Sequence, residues 1–212
     1  AQLNVPLALR IHADLSGVKS NIWNRERANF KEIEVKLAQS LNSSSGALEE
    51  FGQLLRRCDF GIESLTVENS DNGGPMIQFH HKGTNIFGLL EEESQGTRNF
   101  IRLSPFLLHA LETGHISIFD ELDNDLHPML IPEILNWFQS KEKNKKNAQL
   151  FFTAHNTALF EVLEKEEIYL VEKDNDGATD VYGVQDIKGL RREPNLYKQY
   201  MHGALGAVPR VG

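Results

Sequence analysis

Two short apolar segments, about thirty residues apart, constrain the fold more than any other part of the sequence. Residues 116–119 are followed at once by Asp120 and Glu121, and residues 150–153 are followed by His155 after one intervening alanine. Short apolar runs bounded by polar residues predict buried strands. The surrounding pattern predicts helices at 97–112, 130–138 and 158–163, and a further strand at 168–171. This alternation predicts an α/β layer with a largely parallel sheet.

The part of the chain before this layer has a different pattern. Apolar residues at helical spacing predict helices around 30–37 and 48–55, and residues 1–60 read as a mainly helical segment. Alternating residues predict a hairpin, with strands at 62–67 and 76–80 and a further strand near 86–90. The adjacent His80 and His81 point to opposite faces of such a strand, so we interpret them as ordinary strand residues and not as a metal site.

Composition limits the function classes. The net charge is −8, which argues against a surface built mainly to bind phosphate backbones, and the basic clusters at 141–146 and 191–192 are short enough to be solvated surface. The single cysteine, Cys58, excludes an internal disulfide and favours a reducing compartment. No apolar run is long enough to span a bilayer and no signal peptide is visible, so we expect a cytoplasmic protein without a membrane partner.

Carboxylates at the tip of a strand suit a magnesium–nucleotide site. Asp120 could hold the metal through its water shell, and Glu121 could polarise an attacking water. A loop of Ser94, Gly96 and Thr97 stands before a predicted helix, whose first amides could bind a phosphate oxygen. Each feature also has a structural interpretation, since such residues often only cap the helix that follows.

The order of these elements resembles the C-terminal half of an ABC-superfamily ATPase. The similarity extends to the residues of several segments. These segments resemble ABC/SMC-like proteins of the AAA type, many of which accompany phage-defence and abortive-infection operons and are similar to the ATPase part of OLD-family proteins. The segments are Glu-Ser-Gln-Gly-Thr at 93–97, Asp-Glu-Leu-Asp-Asn-Asp-Leu-His-Pro at 120–128, Thr-Ala-His-Asn at 153–156, Ile-Tyr-Leu-Val-Glu-Lys at 168–173 and Gly-Ala-Leu-Gly-Ala-Val-Pro at 203–209. The resemblance implies a P-loop NTPase-like layered sheet with flanking helices, in which 1–60 is a helical insertion and 61–212 the C-terminal part of an ABC-type ATPase domain.

The resemblance also implies roles for single residues. Asp120 would coordinate Mg²⁺, Glu121 would be the general base for ATP hydrolysis, and His155 would sense the γ-phosphate. A lone histidine such as His155 is more often structural, so its role depends on the shared order of the motifs.

The remaining implied roles concern a second protomer. Ser94, Gly96 and Thr97 would contact the γ-phosphate of a nucleotide held by the opposite protomer. Asp123 would begin the D-loop at the interface of a homodimer that encloses ATP.

The sequence has no Gly-Lys dipeptide and therefore no Walker A loop; residues 17–20, Gly-Val-Lys-Ser, are only a near match. We expect the chain to be the C-terminal portion of a longer protein, with the phosphate loop upstream, and to be inactive alone. The Leu-Ser-Gly-Gly-Gln motif of transporters is also missing, which disfavours transport. No acidic cluster after Val171 marks a nuclease.

Three hypotheses follow. The preferred one is an ATPase domain that acts as a nucleotide-driven dimer switch on an effector or toxin protein, with anti-phage defence as its setting. The second is a non-catalytic, ATPase-like scaffold that sequesters an effector. The third is an SMC-like module that binds DNA, for which salt-dependent affinity would be diagnostic. The acidic charge disfavours the third.

Overall fold

The structure is a computed structural model, and it describes residues 16–20, 30–43, 46–58, 60–69, 74–84, 87–124, 126–174, 176–189 and 195–208. The chain forms two compact units, Ala1–Ala154 and His155–Gly212. Each unit is described by itself. The boundary between residues 60 and 61 that the sequence suggested stays a prediction.

The described elements from Phe30 to Lys173 follow the predicted order, except that the helix predicted at 158–163 is the 3₁₀ segment Thr157–Glu161. The α-helices are α1 Phe30–Ser43, α2 Ala47–Arg57, α3 Gln95–Thr113, α4 Leu130–Gln139 and α5 Leu196–Met201. The strands are β1 Lys19–Ser20, β2 Ile62–Asn69, β3 Pro75–His81, β4 Phe87–Leu89, β5 Ile116–Phe119, β6 Gln149–Phe152, β7 Tyr169–Lys173 and β8 Thr179–Gly183. Within the described residues, short 3₁₀ segments lie at Leu90–Glu92, Thr157–Glu161, Lys165–Glu167 and Val184–Asp186.

A three-stranded parallel sheet with the order β1-β5-β6 carries the polar tips. In its register Phe119 pairs with Phe152, so the residues that follow the two strands emerge side by side. Phe119 is 1% exposed, as expected for a central strand of a sheet covered by helices. The predicted α/β class with a parallel sheet is therefore confirmed. Strand β1 was not anticipated, because two residues are too short to give a periodic signal.

A second, antiparallel sheet contains β2, β3 and β4, and it confirms the predicted hairpin and the strand that follows it. Helix α2 packs on β2 and helix α1 on β3. The two predicted helical stripes are the buried faces of these helices, represented by Leu37 and Leu41 in α1 and by Phe51 and Leu55 in α2. These side chains belong to the same apolar core as Phe119, so the helices, the hairpin and the end of the parallel sheet share one interior.

Helix α3 links the two sheets of the first unit and has a defined start and stop. The side chain of Ser94 accepts a hydrogen bond from the amide of Thr97, which is an ordinary N-cap. Gly114 ends the helix in the left-handed conformation at φ 80°, and its amide donates to the carbonyl of Ala110. Because Gly114 turns the chain within two residues, β5 can begin at Ile116.

The second unit corrects one prediction. The strand expected at 168–171 does not join the parallel sheet: β7 pairs antiparallel with β8 in a separate two-stranded sheet. In the turn between β7 and β8 the amides of Asp176 and Ala178 donate to the side chain of Asp174, which favours this hairpin. In the described part of the chain, no helix is long and apolar enough to cross a membrane.

Candidate functional site

Asp120 and Glu121 lie where β5 ends, and Thr153 at the end of β6 connects them. The hydroxyl of Thr153 donates a hydrogen bond to Asp120 Oδ1 at 2.7 Å and accepts one from the amide of Glu121, also at 2.7 Å. The amide of Thr153 donates to the carbonyl of Phe119, and the amide of Leu122 donates to the carbonyl of Thr153. Four bonds thus join the two strand tips, so one residue holds both carboxylate-bearing positions in place.

Glu121 has an unusual backbone conformation, with φ 50°. A residue with a Cβ atom enters this left-handed region at a cost of about 1–2 kcal/mol. Such conformations persist where the surroundings enforce them, and they cluster at functional positions. The bond from the Glu121 amide to Thr153 is one enforcing contact.

The loop from Leu122 to Met129 follows these carboxylates. Leu122 and Leu126 are buried and anchor it to the core, and Asp123 lies between them half-buried. Helix α4 begins only at Leu130, and no side chain caps it. Asp120 and Glu121 therefore do not cap α4, and their roles at a nucleotide site stay a prediction. The role of Asp123 at a dimer interface stays a prediction.

The turn before α3 shows the capping contacts that were its structural alternative. Ser94 Oγ lies 2.7 Å from Thr97 Oγ1 and accepts the Thr97 amide at 3.1 Å. Ser94 is exposed, Gly96 is half-buried and Thr97 is 4% exposed. Capping and phosphate contact are compatible, because the side chain of an N-cap satisfies only part of the free amides at a helix start. A phosphate contact by these three residues stays a prediction.

A groove of about 840 Å³ brings this turn and the loop after Glu121 to the same place. One wall contains Ser94, Gly96 and Thr97, and another contains His127 and Met129. The turn before α3 and the residues just before α4 therefore line one cavity of the first unit, whereas Asp123 is not among the residues that line it.

His155 is the first residue of the second unit, and its side chain is exposed. The next residue, Asn156, caps the 3₁₀ segment Thr157–Glu161 by accepting a hydrogen bond from the amide of Ala158 at 3.0 Å. The sequence places His155 two residues beyond Thr153. Its predicted role as a γ-phosphate sensor stays a prediction.

The near match to a phosphate loop at 17–20 has a packing explanation. A Cβ atom on Gly17 would overlap the imidazole ring of His115, so glycine allows the close approach of the two segments. Lys19 and Ser20 form strand β1 and pair with Ser117 and Ile118. These residues complete the parallel sheet, and this accounts for the glycine without a phosphate.

The donor groups at the strand tips fit a magnesium ion that is held mainly by a nucleotide. Among the residues with a described structure, no three His, Cys, Asp or Glu side chains come together as a metal site. Magnesium is usually bound by one or two carboxylates, water and phosphate oxygens and not by an all-protein cage. Asp120 and Glu121 provide such carboxylates.

Thr153 was missed as a site residue, although a signal for it was present. It directly follows β6 as Asp120 directly follows β5, and the pairing of Phe119 with Phe152 sets the two side by side.

Comparisons with known proteins agree with this architecture. A crystal structure described as "the SmcHead bound to the C-winged helix domain of ScpA" superposes with a TM-score of 0.50 at 12% identity. The superposition covers 78% of this chain and 55% of that chain, so the chain spans about half the length of the SMC head. This likeness shows a shared P-loop NTPase fold. No curated protein matches the chain.

A match between the sequence and a family model identifies the family of the chain. The model of a family described as "AAA domain, putative AbiEii toxin, Type IV TA system" matches residues 2–161 of the 212. The match includes both strand tips of the first unit, the turn before α3 and His155. The chain belongs to this family of AAA-domain, ATPase-like proteins.

Proposed function

We propose that the protein is an ABC/SMC-like ATPase that works as a nucleotide-driven dimer switch. Two protomers enclose ATP head to tail, nucleotide binding closes the dimer, and hydrolysis reopens it. The observation that carries the proposal is the bonded pair of strand tips, in which Thr153 fixes Asp120 and Glu121 at the carboxyl edge of the parallel sheet. At the same edge of open α/β sheets, ligands commonly bind.

In this proposal each carboxylate has a separate task. Asp120 would hold Mg²⁺, which would supply positive charge against the phosphate groups. Glu121 orients a water molecule toward the γ-phosphate and accepts a proton from that water. In an extended strand two adjacent side chains would point to opposite faces, so the left-handed backbone of Glu121 changes the direction of its side chain relative to that of Asp120.

The second protomer contributes the other half of the site. Ser94, Gly96 and Thr97 contact the γ-phosphate held by the partner, and Asp123 contacts the partner at the interface. Support for the turn comes from the groove, which Ser94, Gly96 and Thr97 line together with His127 and Met129. His155 contacts the γ-phosphate in its own protomer. Phosphoryl transfer requires alignment and charge stabilisation from such groups and little covalent chemistry.

A phosphate loop is still required, and we propose that it precedes these residues in the complete protein. The 212 residues contain no Gly-Lys dipeptide, and Gly17 in the near match serves packing. The chain covers 55% of the SMC head chain, so a complete protein of similar length would contain further segments. On this basis the 212-residue chain alone binds ATP weakly and does not turn it over.

The switch would act on an effector protein, and we propose a setting in defence against phage. The family description names a toxin of a toxin–antitoxin system, which fits a nucleotide switch that controls a harmful activity. The bonds within the Ser94–Thr97 cap are also what a non-catalytic scaffold would have. The following experiment separates the two.

The test is Glu121→Gln in the complete protein. It keeps the shape of the side chain and removes the base, so we expect hydrolysis to fall by roughly 100-fold or more while an ATP-bound dimer accumulates. ATP turnover and sedimentation velocity measure the two effects. Glu112→Gln, an exposed position near the end of α3, is the matched control and should leave both unchanged. Unchanged turnover in Glu121→Gln would refute the base assignment and favour the scaffold.

A further inference from the structure

The groove beside the turn before α3 contains a hydrogen-bonded pair of side chains that the proposed function does not yet use. His81 Nε2 lies 2.7 Å from Glu93 Oε1. The side chain of Glu93 is only 5% exposed, whereas that of His81 is 36% exposed. A buried carboxylate has lost its water, so it depends on a bonded partner to offset its charge. Within this pair an ionised carboxylate can only accept, so the imidazole donates.

Glu93 stands next to the turn that would receive a phosphate. It directly precedes Ser94, and both Glu93 and His81 line the groove together with Ser94, Gly96 and Thr97. An anion that approaches the start of α3 would therefore meet a carboxylate beside the helix amides. Without compensation this carboxylate would oppose the attraction of those amides for a phosphate.

The other two carboxylates on the groove have partners elsewhere. Glu92 Oε2 accepts the amide of Leu89 at 2.8 Å. Glu133 Oε1 accepts bonds from the indole of Trp137 at 2.8 Å and from Lys143 at 3.2 Å. Although partial burial acts in the opposite direction, these bonds hold the pKa of Glu133 below its usual range. Glu93 is thus the carboxylate adjacent to the turn, and His81 is its bonded partner.

We propose that His81 is a positioning residue that offsets the charge of Glu93 and so allows the Ser94–Thr97 turn to accept the terminal phosphate of a nucleotide held by a second copy of the protein. This inference rests on the proposed function. It adds a residue from the hairpin sheet, strand β3, to a site otherwise built from α3 and the strand tips. The consequence is that the negative charge of Glu93, and not only its bond to His81, controls dimer closure.

A double-mutant experiment separates charge compensation from simple structural support. The complete protein carrying Glu121→Gln, which keeps ATP in place, provides the background, and sedimentation velocity with ATP gives the dimer dissociation constant. His81→Phe keeps a ring and leaves Glu93 without its donor, so we expect the dissociation constant to rise by roughly tenfold or more. His81→Phe with Glu93→Gln removes the anion as well, and the constant should return toward the starting value.

The matched control is His80→Phe on the opposite face of the same strand. His80 Nδ1 lies 4.0 Å from Glu63 Oε2. Because His80 does not line the groove, dimerisation should not change in this variant. Purely structural support predicts that the double variant is no better than His81→Phe, and that result would overturn the inference. If His81→Phe does not fold, Glu93→Gln decides alone: charge compensation predicts a tighter dimer and structural support a weaker one.

Failure of the proposed function gives a different result. In that case the background protein with intact His81 does not dimerise with ATP at all, and the inference falls with it. If the background dimerises and His81→Phe dimerises equally well, the proposed function stands and only the role of His81 is refuted.

Discussion

Replacement of Thr153 by valine should loosen the strand tips without disturbing the core. Valine has nearly the shape of threonine, so the change removes a hydroxyl and opens no cavity. Two bonds are lost, one to Asp120 Oδ1 and one from the Glu121 amide, both 2.7 Å long. Each such bond contributes about 0.5–1.5 kcal/mol net. Because Thr153 is exposed, water can replace part of this, and we expect a total loss of about 1–2 kcal/mol.

Amide hydrogen exchange of the 212-residue chain measures this loss where it occurs. A loss of this size corresponds to a decrease of about 5- to 30-fold in the protection of the Glu121 amide. The amide of Leu122 donates to the carbonyl of Thr153, which valine retains, so it serves as an internal reference.

Thr153→Ser is the matched control, because it keeps the hydroxyl and loses only a methyl group. Its Glu121 amide should stay protected. Equal protection of that amide in the valine and serine variants would refute the view that the Thr153 hydroxyl holds the two tips together.

Two further predictions concern the first unit. Gly114→Ala should cost about 2–3 kcal/mol in urea unfolding, because a Cβ atom would lie 2.7 Å from the carbonyl oxygen of Lys146 in addition to the strain of φ 80°. Gly46 has φ 90°, and a Cβ atom there would meet nothing within 4 Å. Gly46→Ala should therefore show the strain alone, about 1–2 kcal/mol. Equal costs for the two variants would exclude the clash at Gly114. Burial raises the pKa of the Cys58 thiol to about 11, so alkylation should rise with pH around that value in the folded chain and near 8.5 in urea. Because the folded pKa is the higher one, stability should fall as pH rises from about 8.5 toward 11; an alkylation midpoint near 8.5 in the folded chain would contradict the burial.

The sequence was sufficient to predict the parallel sheet where apolar runs are bounded by polar residues. The bounds of β5 agree with the prediction, and those of β6 are shifted by one residue. Strand β1 has only two residues, and its pairing with β5 depends on contacts distant in the chain. Strand β7 was assigned to the wrong sheet, because its partner β8 is largely exposed and has no clear apolar alternation.

The candidate site was predicted in part. The positions of Asp120 and Glu121 at a strand tip followed from the sequence, whereas the φ angle of Glu121 did not, because no glycine or asparagine signals it. The pairing of His81 with Glu93 joins residues twelve positions apart through a turn and a short strand. Such a contact depends on tertiary packing, which local periodicity does not encode.

Under the proposed role of Glu121 as the base, its positive φ sets stability against chemistry at a single residue. Glycine would adopt this conformation without steric strain, so a variant library sorted only for thermal resistance should enrich glycine at this position. With a carboxylate at this position, the fold carries backbone strain that glycine would avoid. In a natural relative with glycine at this position, we expect the fold to be retained and ATP hydrolysis to be lost.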